Sequence, residues 1–238
     1  MTVAFVLVHG GSVGGWCYQR VARRLRQQGH EVYAPTLTGF GERHHLSRSD
    51  ITMEPHILDV ANLVEFEDLH DVVLVGHSLG STVIPHVAER VPDRIRCVVW
   101  LSGMVLRDGQ TLIDDAPKSE WTQRALTTGA SERPALDYDI QLDALLPDGT
   151  ADDRIWLRQR LRQAPTAALY APGRLSAFLA LEKPTGFIAA RQSRVIPIDV
   201  ARRYAELLPG CRYREVDAGH TLMLSAPDAT TAALLDMI

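Results

Sequence analysis

The chain has 238 residues, of which 46% are hydrophobic and 23% are charged, and its formal net charge is −4 at pH 7. These fractions lie near the averages of globular proteins, which argues against disorder or a fibrous repeat, and the acidic balance lacks the basic surface that nucleic-acid binding requires. A chain of this length builds one sizeable core, so we expect a single domain over residues 1–238 and no nucleic-acid partner.

The amino terminus predicts a strand and no targeting segment. In "MTVAFVLVHGG" the apolar run over residues 3–8 is too short for a signal peptide and meets glycines at once. No run elsewhere approaches the roughly 18 apolar residues of a membrane span, so we expect no membrane partner. The cysteines are odd in number and widely spaced, at Cys17, Cys97 and Cys211, which favours a reducing compartment. We therefore predict a cytoplasmic protein.

Short apolar or β-branched stretches alternate with segments of helical period along the chain. Strands are predicted over 3–8, 32–34, 72–75, 95–101, 186–190 and 213–216. Helices are predicted over 18–28, 56–67, 81–90, 200–208 and 226–237. This alternation, with near-continuous apolar strands, is typical of a parallel sheet covered on both faces. We predict a doubly wound α/β fold with a mostly parallel sheet, which binds ligands at the carboxyl ends of its strands.

The interval 104–183 has no convincing strand but carries helical patterns. These patterns lie around 121–126, 140–146 and 154–162. Structureless connections of this length are rare in compact domains, so we predict a helical cap inserted between two late strands. Five apolar side chains could line a pocket under the cap or could equally be its core: Trp121, Leu142, Leu145, Trp156 and Phe178.

The stretch "VVLVGHSLGS" runs an apolar strand directly into a turn that centres on Ser78. A strand that turns within one residue strains the backbone there, and Gly76 and Gly80 remove the clashes that side chains would cause. Ser78 would then stand out at the carboxyl end of the strand as a candidate nucleophile. The alternative is an ordinary strand-to-helix turn in which the serine caps the helix.

A serine hydroxyl is a poor nucleophile until a base takes its proton. In "EVDAGHTLML" His220 follows the last predicted strand, which makes it the candidate base; a solvated loop histidine is the alternative. Acyl transfer also needs donors for the oxyanion. The amide of Leu79 follows the nucleophile, and the amide of Gly11 lies in "HGGSVGGW" after the first strand, where a plain turn would also explain the glycines.

Several segments together resemble a known family. They are "VLVHGGSVGGWCY", "GHEVYAPTLTGFGER", "LHDVVLVGHSLG", "VVWLSGMVLRDGQTL" and "REVDAGHTLMLSAPD". The chain resembles the α/β-hydrolase family, and within it the branch of methylesterases, salicylate-binding esterases, hydroxynitrile lyases and their bacterial relatives. The resemblance implies Ser78 as nucleophile, His220 as base, Gly11 and Leu79 as oxyanion donors, a small-molecule substrate and no cofactor.

The family also carries an aspartate that orients the histidine, and here the sequence departs from it. The expected positions hold Ser193 in "GFIAARQSRVIP" and Ser102 in "WLSGM". Three explanations stay open. Another carboxylate could substitute, such as Asp108, Asp199 or Asp217, although Asp108 before a glycine is equally a turn residue. A serine or water could orient the histidine, with Ser102 slightly favoured, or the pocket could have another use.

The first hypothesis for function is a serine-dependent hydrolase of a small, largely apolar ester, thioester or lactone, acting through an acyl-enzyme on Ser78. The alternative is a tailoring enzyme that uses His220 as acid and base for cyclisation, elimination or acyl transfer. A third is a ligand-binding protein with a degenerate triad. Adjacent pairs such as His44 and His45 do not converge on one ion, so we expect no metal. We expect a monomer or a homodimer.

Overall fold

Six parallel strands form the centre of the computed structural model, which describes residues 2–115, 138–163, 165 and 167–238. The strands are β1 Ala4–Val8, β2 Glu31–Tyr33, β3 Val72–His77, β4 Ile95–Leu101, β5 Thr185–Ala190 and β6 Arg212–Val216. Their order is β2-β1-β3-β4-β5-β6, and every neighbouring pair is parallel. The predicted doubly wound, mostly parallel sheet is confirmed.

Helices surround the sheet. Those in the described ranges are α1 Gln19–Gln27, α2 Met53–Phe66, α3 Gly80–Arg90, α4 Leu112–Asp115, α5 Tyr138–Leu145, α6 Ala151–Arg158, α7 Leu175–Leu179, α8 Ile198–Glu206, α9 Leu222–Ser225 and α10 Pro227–Leu235. Every residue of β1, β3 and β5 is buried, because these strands are near-continuous apolar runs between two helical layers. Among the described helices, none is both long and apolar enough to cross a bilayer.

Four of the five predicted pocket residues lie in the described part of the chain, and their contacts are those of packing. Leu142 and Leu145 are buried in the main core, and the ring of Phe178 meets Trp100 edge-on, with 5.4 Å between centroids. Trp156 is partly buried and packs edge-on against another tryptophan, Trp16, at 5.2 Å. Trp121 and the helix predicted around 121–126 lie outside the described residues. The assignment of 104–183 as a cap stays an interpretation.

Candidate active site

Ser78 occupies a strained turn between β3 and α3. Its φ of +49° lies in the left-handed region, which L-residues other than Asn and Asp rarely adopt. A side chain at Gly76 would lie 2.7 Å from the carbonyl oxygen of Gly80, and one at Gly80 would lie 2.4 Å from that of His9. Both glycines are therefore required by close backbone contacts, and the turn has the tight geometry that the sequence pattern predicts.

The loop after β1 runs directly beside Ser78. A methyl group on Gly10 would lie 2.9 Å from Cβ of Ser78 and 2.8 Å from Nδ1 of His77. The next residue, Gly11, has no atom within 4 Å of the position that its Cβ would take. Within the described ranges, the amides of Gly11 and Leu79 donate no hydrogen bond. Two unused main-chain donors are thus available beside the turn.

This geometry predicts that Gly10→Ala lowers kcat/KM for an ester substrate by about 10²-fold, since a displacement of about 1 Å at a reacting group costs that much. The added methyl must push either the nucleophile or His77 out of place. Gly11→Ala is the matched comparison: it keeps the amide, meets open space and should lose far less activity. Steady-state kinetics on the two folded variants checks this, and equal activities would contradict the packing argument.

His220 brings together the ends of three strands. It follows β6 in the chain and is fully buried. Its Nδ1 lies 3.1 Å from Oγ of Ser102, the residue that follows β4, and 3.1 Å from Oγ of Ser193, which lies beyond β5. Both hydroxyls that replace the family's aspartates therefore meet the same ring nitrogen. Sequence reasoning ranked Ser102 above Ser193, whereas the two distances are equal.

The two serines differ in their other contacts. Ser193 Oγ also accepts the N–H of Ile196 at 3.0 Å, so it is held from both sides. Ser102 has a φ of +41°, another left-handed residue at a strand end, and its hydroxyl has His220 as its one described side-chain partner. On the other side of the ring, Nε2 of His220 is buried and forms no hydrogen bond within the described residues. The ring is therefore held at Nδ1, and its Nε2 has no described partner.

No carboxylate in the described ranges is hydrogen-bonded to His220. Asp108 is exposed, and its carboxylate accepts the N–H of Ser176 at 2.9 Å, so the expectation that Asp108 could orient the histidine is corrected. The other two candidates are also engaged elsewhere. Asp217 accepts from Gln192 at 2.9 Å, and Asp199 pairs with Arg203 at 2.8 Å.

The histidines of the site are held neutral by burial. Burial lowers the pKa of His220 well below its usual range, and the neighbouring His77 lowers it further. Burial also lowers the pKa of His77 and of His9 to about 4. Hydrogen bonds match these neutral rings: His77 Nε2 donates to the carbonyl of His220 at 2.9 Å, and His9 Nε2 accepts the N–H of Leu37 at 3.0 Å.

Neutral buried histidines predict a loss of stability on mild acidification. The unfolded chain binds protons below about pH 6.5 that the folded chain excludes until about pH 4, so the stability that these groups contribute is lost as pH falls through that window. From His9 and His77 alone we expect the free energy of unfolding to fall by roughly 4 kcal/mol between pH 7 and pH 5. Urea denaturation at several pH values measures this. His77→Gln should make the fall in the free energy of unfolding with pH shallower, and His70→Gln, at an exposed histidine, should not. If both variants show the same slope of this free energy against pH, buried His77 does not cause the fall.

The segment that contains α5 and α6 is bound to the loop that follows β1. Gln141 is buried in α5 and its Nε2 donates to Oγ of Ser12 at 2.8 Å. The amide of Arg162, beyond α6, donates to the carbonyl of Ser12 at 3.1 Å. Ser12 follows Gly11 and has a φ of +64°. These contacts fix the strained residue next to the predicted oxyanion donor.

The same segment is bound to the loop that carries His220. The carbonyl of Leu145 accepts the amide of Thr221 at 2.9 Å, and the carboxylate of Asp148 accepts the amide of Gly219 at 2.8 Å. Gly219 and Thr221 flank His220 in the chain. Sequence reasoning missed Gln141, Leu145 and Asp148 as neighbours of the loops that carry Gly11 and His220, because no local pattern marks a contact across 70 or more residues.

Within the described ranges, no group of three or more His, Cys, Asp or Glu side chains is arranged to bind a metal ion. The three cysteines are free. The arrangement therefore offers a hydroxyl, an imidazole and two amides as its chemical groups.

Comparisons with known proteins identify the family and several relatives of this chain. A model of the alpha/beta hydrolase family matches residues 5–234. A carbendazim hydrolyzing esterase from a Nocardioides strain is 36% identical over 229 residues, which cover 94% of this chain and 95% of the relative. A pyrethroid hydrolase from Sphingobium wenxiniae is 28% identical over 250 residues, which cover 99% of this chain and 88% of the relative.

A solved structure gives the same fold. It is an extracellular alpha/beta-hydrolase from a Paenibacillus species, described as sharing structural and functional homology with tobacco salicylic acid binding protein 2. The TM-score is 0.88 at 24% sequence identity, over 99% of this chain and 98% of the other. At this identity the likeness establishes the fold alone.

Proposed function

The chain belongs to the alpha/beta hydrolase family, and on that premise we propose that it is an esterase that hydrolyses a small, largely apolar ester, thioester or lactone through an acyl-enzyme on Ser78. The names of the relatives, an esterase at 36% identity and a pyrethroid hydrolase at 28%, support ester hydrolysis as the reaction class. We further propose that the protein acts as a monomer or a homodimer in the cytoplasm.

One observation carries the proposal. A buried histidine that is held at Nδ1 by two hydroxyls leaves Nε2 without a described partner, and its ring lies 4.8 Å from that of His77, the residue just before the strained Ser78. Ser78 is half-buried, and a base held in one orientation near an accessible hydroxyl is the arrangement that nucleophilic catalysis requires. The unused amides of Gly11 and Leu79 add the donors that acyl transfer needs.

In the proposed reaction Ser78 Oγ attacks the carbonyl carbon, and its proton passes to Nε2 of His220. The carbonyl oxygen becomes an oxyanion that accepts hydrogen bonds from the amides of Gly11 and Leu79. When the tetrahedral intermediate collapses, the bond to the alcohol or thiol breaks, and the leaving group takes the proton from Nε2. Water then attacks the acyl-enzyme with His220 again as base, which releases the carboxylic acid and restores the serine.

A low pKa makes His220 a weaker base, and no described carboxylate stabilises its charged form. The same observation supports the second candidate, a tailoring enzyme of the same fold in which His220 acts as acid and base without an acyl-enzyme. The two candidates differ in their dependence on the Ser78 hydroxyl.

A panel of 4-nitrophenyl esters with short to medium acyl chains, together with thioesters and lactones, tests the first candidate. We expect turnover of at least one member and a burst of nitrophenol equal to the enzyme concentration when deacylation is slow. Saturable binding without turnover of any member would contradict hydrolysis and favour a ligand-binding protein.

A further inference from the structure

The hydroxyl of Ser81 joins two loops of the candidate site. Ser81 lies in the first turn of α3 and is buried, with 1% of its surface exposed. Its Oγ lies 2.5 Å from the carbonyl oxygen of Ser78 and 3.1 Å from that of Met104, and it accepts the amide of Met104 at 2.7 Å. One side chain thus contacts both the turn of the candidate nucleophile and the loop that follows β4.

The contact with Ser78 alone would be an ordinary helical one, because serine and threonine hydroxyls can bond the carbonyl three or four residues back. The next residue, Thr82, does only this, and its hydroxyl donates to the carbonyl of Leu79 at 2.8 Å. The two carbonyls also accept backbone amides of the same turn, at 2.9 and 3.0 Å. What distinguishes Ser81 is its bond to Met104, which lies 23 residues away in the chain.

The sheet pairing ends before these two loops begin. Strands β3 and β4 are paired up to His77 and Leu101. Within the described residues, the bonds of Ser81 are the only hydrogen bonds between 78–82 and 102–105. A single hydroxyl therefore provides the polar link between the two loops.

The loop after β4 carries a serine that meets His220. Oγ of Ser102 lies 3.1 Å from Nδ1 of His220. The next residue, Gly103, packs directly on the link, since a methyl group there would lie 2.5 Å from Cβ of Ser81. A shift of this loop against the turn would therefore disturb the placement of the imidazole relative to Ser78.

We propose that Ser81 is a positioning residue, whose hydroxyl holds the turn of Ser78 against the loop of Ser102 and thereby against His220. The hydroxyl accepts from the amide of Met104, and its one proton goes to the carbonyl of Ser78, the nearer of the two acceptors. Backbone groups thus occupy both its donor and its acceptor. The effect of Ser81 on the rate rests on the proposed function, because it acts through the nucleophile and the base.

Ser81→Ala and Thr82→Val test this as a matched pair. Each removes a buried hydroxyl that bonds the carbonyl three residues back, and only Ser81→Ala removes the bond to Met104. We expect Ser81→Ala to lower two rate constants by about 10- to 10²-fold, since a displacement of about 1 Å at a reacting group costs about 10²-fold. They are kcat/KM for an ester substrate and the second-order rate constant of fluorophosphonate labelling at Ser78. Thr82→Val should lose far less.

Both rate constants are expressed per folded molecule, with the folded fraction measured by urea denaturation. A purely structural role would lower the folded fraction and leave them unchanged. If Ser81→Ala fails to fold, Ser81→Cys replaces it, because a thiol is a weaker donor and acceptor. In the double variant Ser81→Ala/Ser102→Ala the two losses should overlap, since both variants interrupt the same link to His220.

Equal rate constants for Ser81→Ala and Thr82→Val would overturn the proposal. Losses of the two single variants that multiply to within about twofold in the double variant would overturn it as well. In both cases the wild-type protein would still hydrolyse the ester. A wild-type protein without turnover or labelling would instead refute the proposed function, and this proposal with it.

Discussion

Ser78→Ala is expected to lower kcat/KM for an ester substrate by about 10⁴- to 10⁶-fold, because it removes the atom that would form the proposed acyl-enzyme. The backbone should keep its shape at the strained φ of +49°, since the substitution keeps Cβ and removes only the hydroxyl. Initial rates with a chromogenic ester measure the loss, and urea denaturation verifies that the variant is folded. Ser47→Ala, at an exposed serine, is the matched control and should retain full activity.

His220→Ala should cause a loss of similar size, and the double variant Ser78→Ala/His220→Ala should be little worse than either alone, because the two groups act as a unit. A different pattern of activities among these variants would favour the tailoring enzyme. If Ser78→Ala retains most of its turnover while His220→Ala is inactive, the histidine acts on the substrate directly and the acyl-enzyme is not formed.

Ser193→Asp is expected to raise kcat by about 10- to 10³-fold. This gain is smaller than the loss in kcat of about 10⁴-fold that a serine protease shows when its triad aspartate is replaced. The new carboxylate can accept the N–H of Ile196, which now donates to Ser193 Oγ, and the N–H of His220 when that ring carries its proton on Nδ1. It would hold His220 with its proton on Nδ1 and its lone pair on Nε2, and it would raise the pKa of His220, so the acid limb of the pH–rate profile should move to higher pH.

Two comparison variants separate charge from shape in this prediction. Ser193→Asn has nearly the same size without the charge and should show little gain. Ser102→Asp should gain less than Ser193→Asp, since no described donor lies at hand for its second oxygen, although the φ of +41° suits an aspartate. The profile of kcat against pH is measured for all three. Equal rates for Ser193→Asp and Ser193→Asn would show that the missing charge does not limit catalysis.

The sheet and the turn at Ser78 were predictable because their signals are local. Strand runs such as 72–75 are apolar throughout, and the glycines two residues before and after Ser78 mark the turn without any knowledge of distant residues. Chain order alone placed His220 beyond the last strand. The prediction of the strands and of the turn depends only on residues that are close together in the sequence.

The surroundings of His220 were not predictable in the same way. Which serine faces the ring depends on how β4 and β5 set their ends against the loop after β6, so Ser102 and Ser193 proved equidistant where one was favoured. Asp108 failed as a candidate because its loop turns its carboxylate toward Ser176. Likewise, Phe178 packs on Trp100 because of tertiary contacts that residue type cannot reveal.

We propose that folding makes the hydroxyl of Ser78 reactive through His220, a residue 142 positions away in the chain. A fluorophosphonate probe followed by peptide mass spectrometry tests it most directly, because the probe forms a bond to phosphorus only with an activated nucleophile. We expect a single adduct on Ser78 in the folded wild-type protein, and little or none in His220→Ala or in urea-unfolded protein. A folded wild-type protein that stays unlabelled, or that carries the adduct on another residue, would contradict the claim.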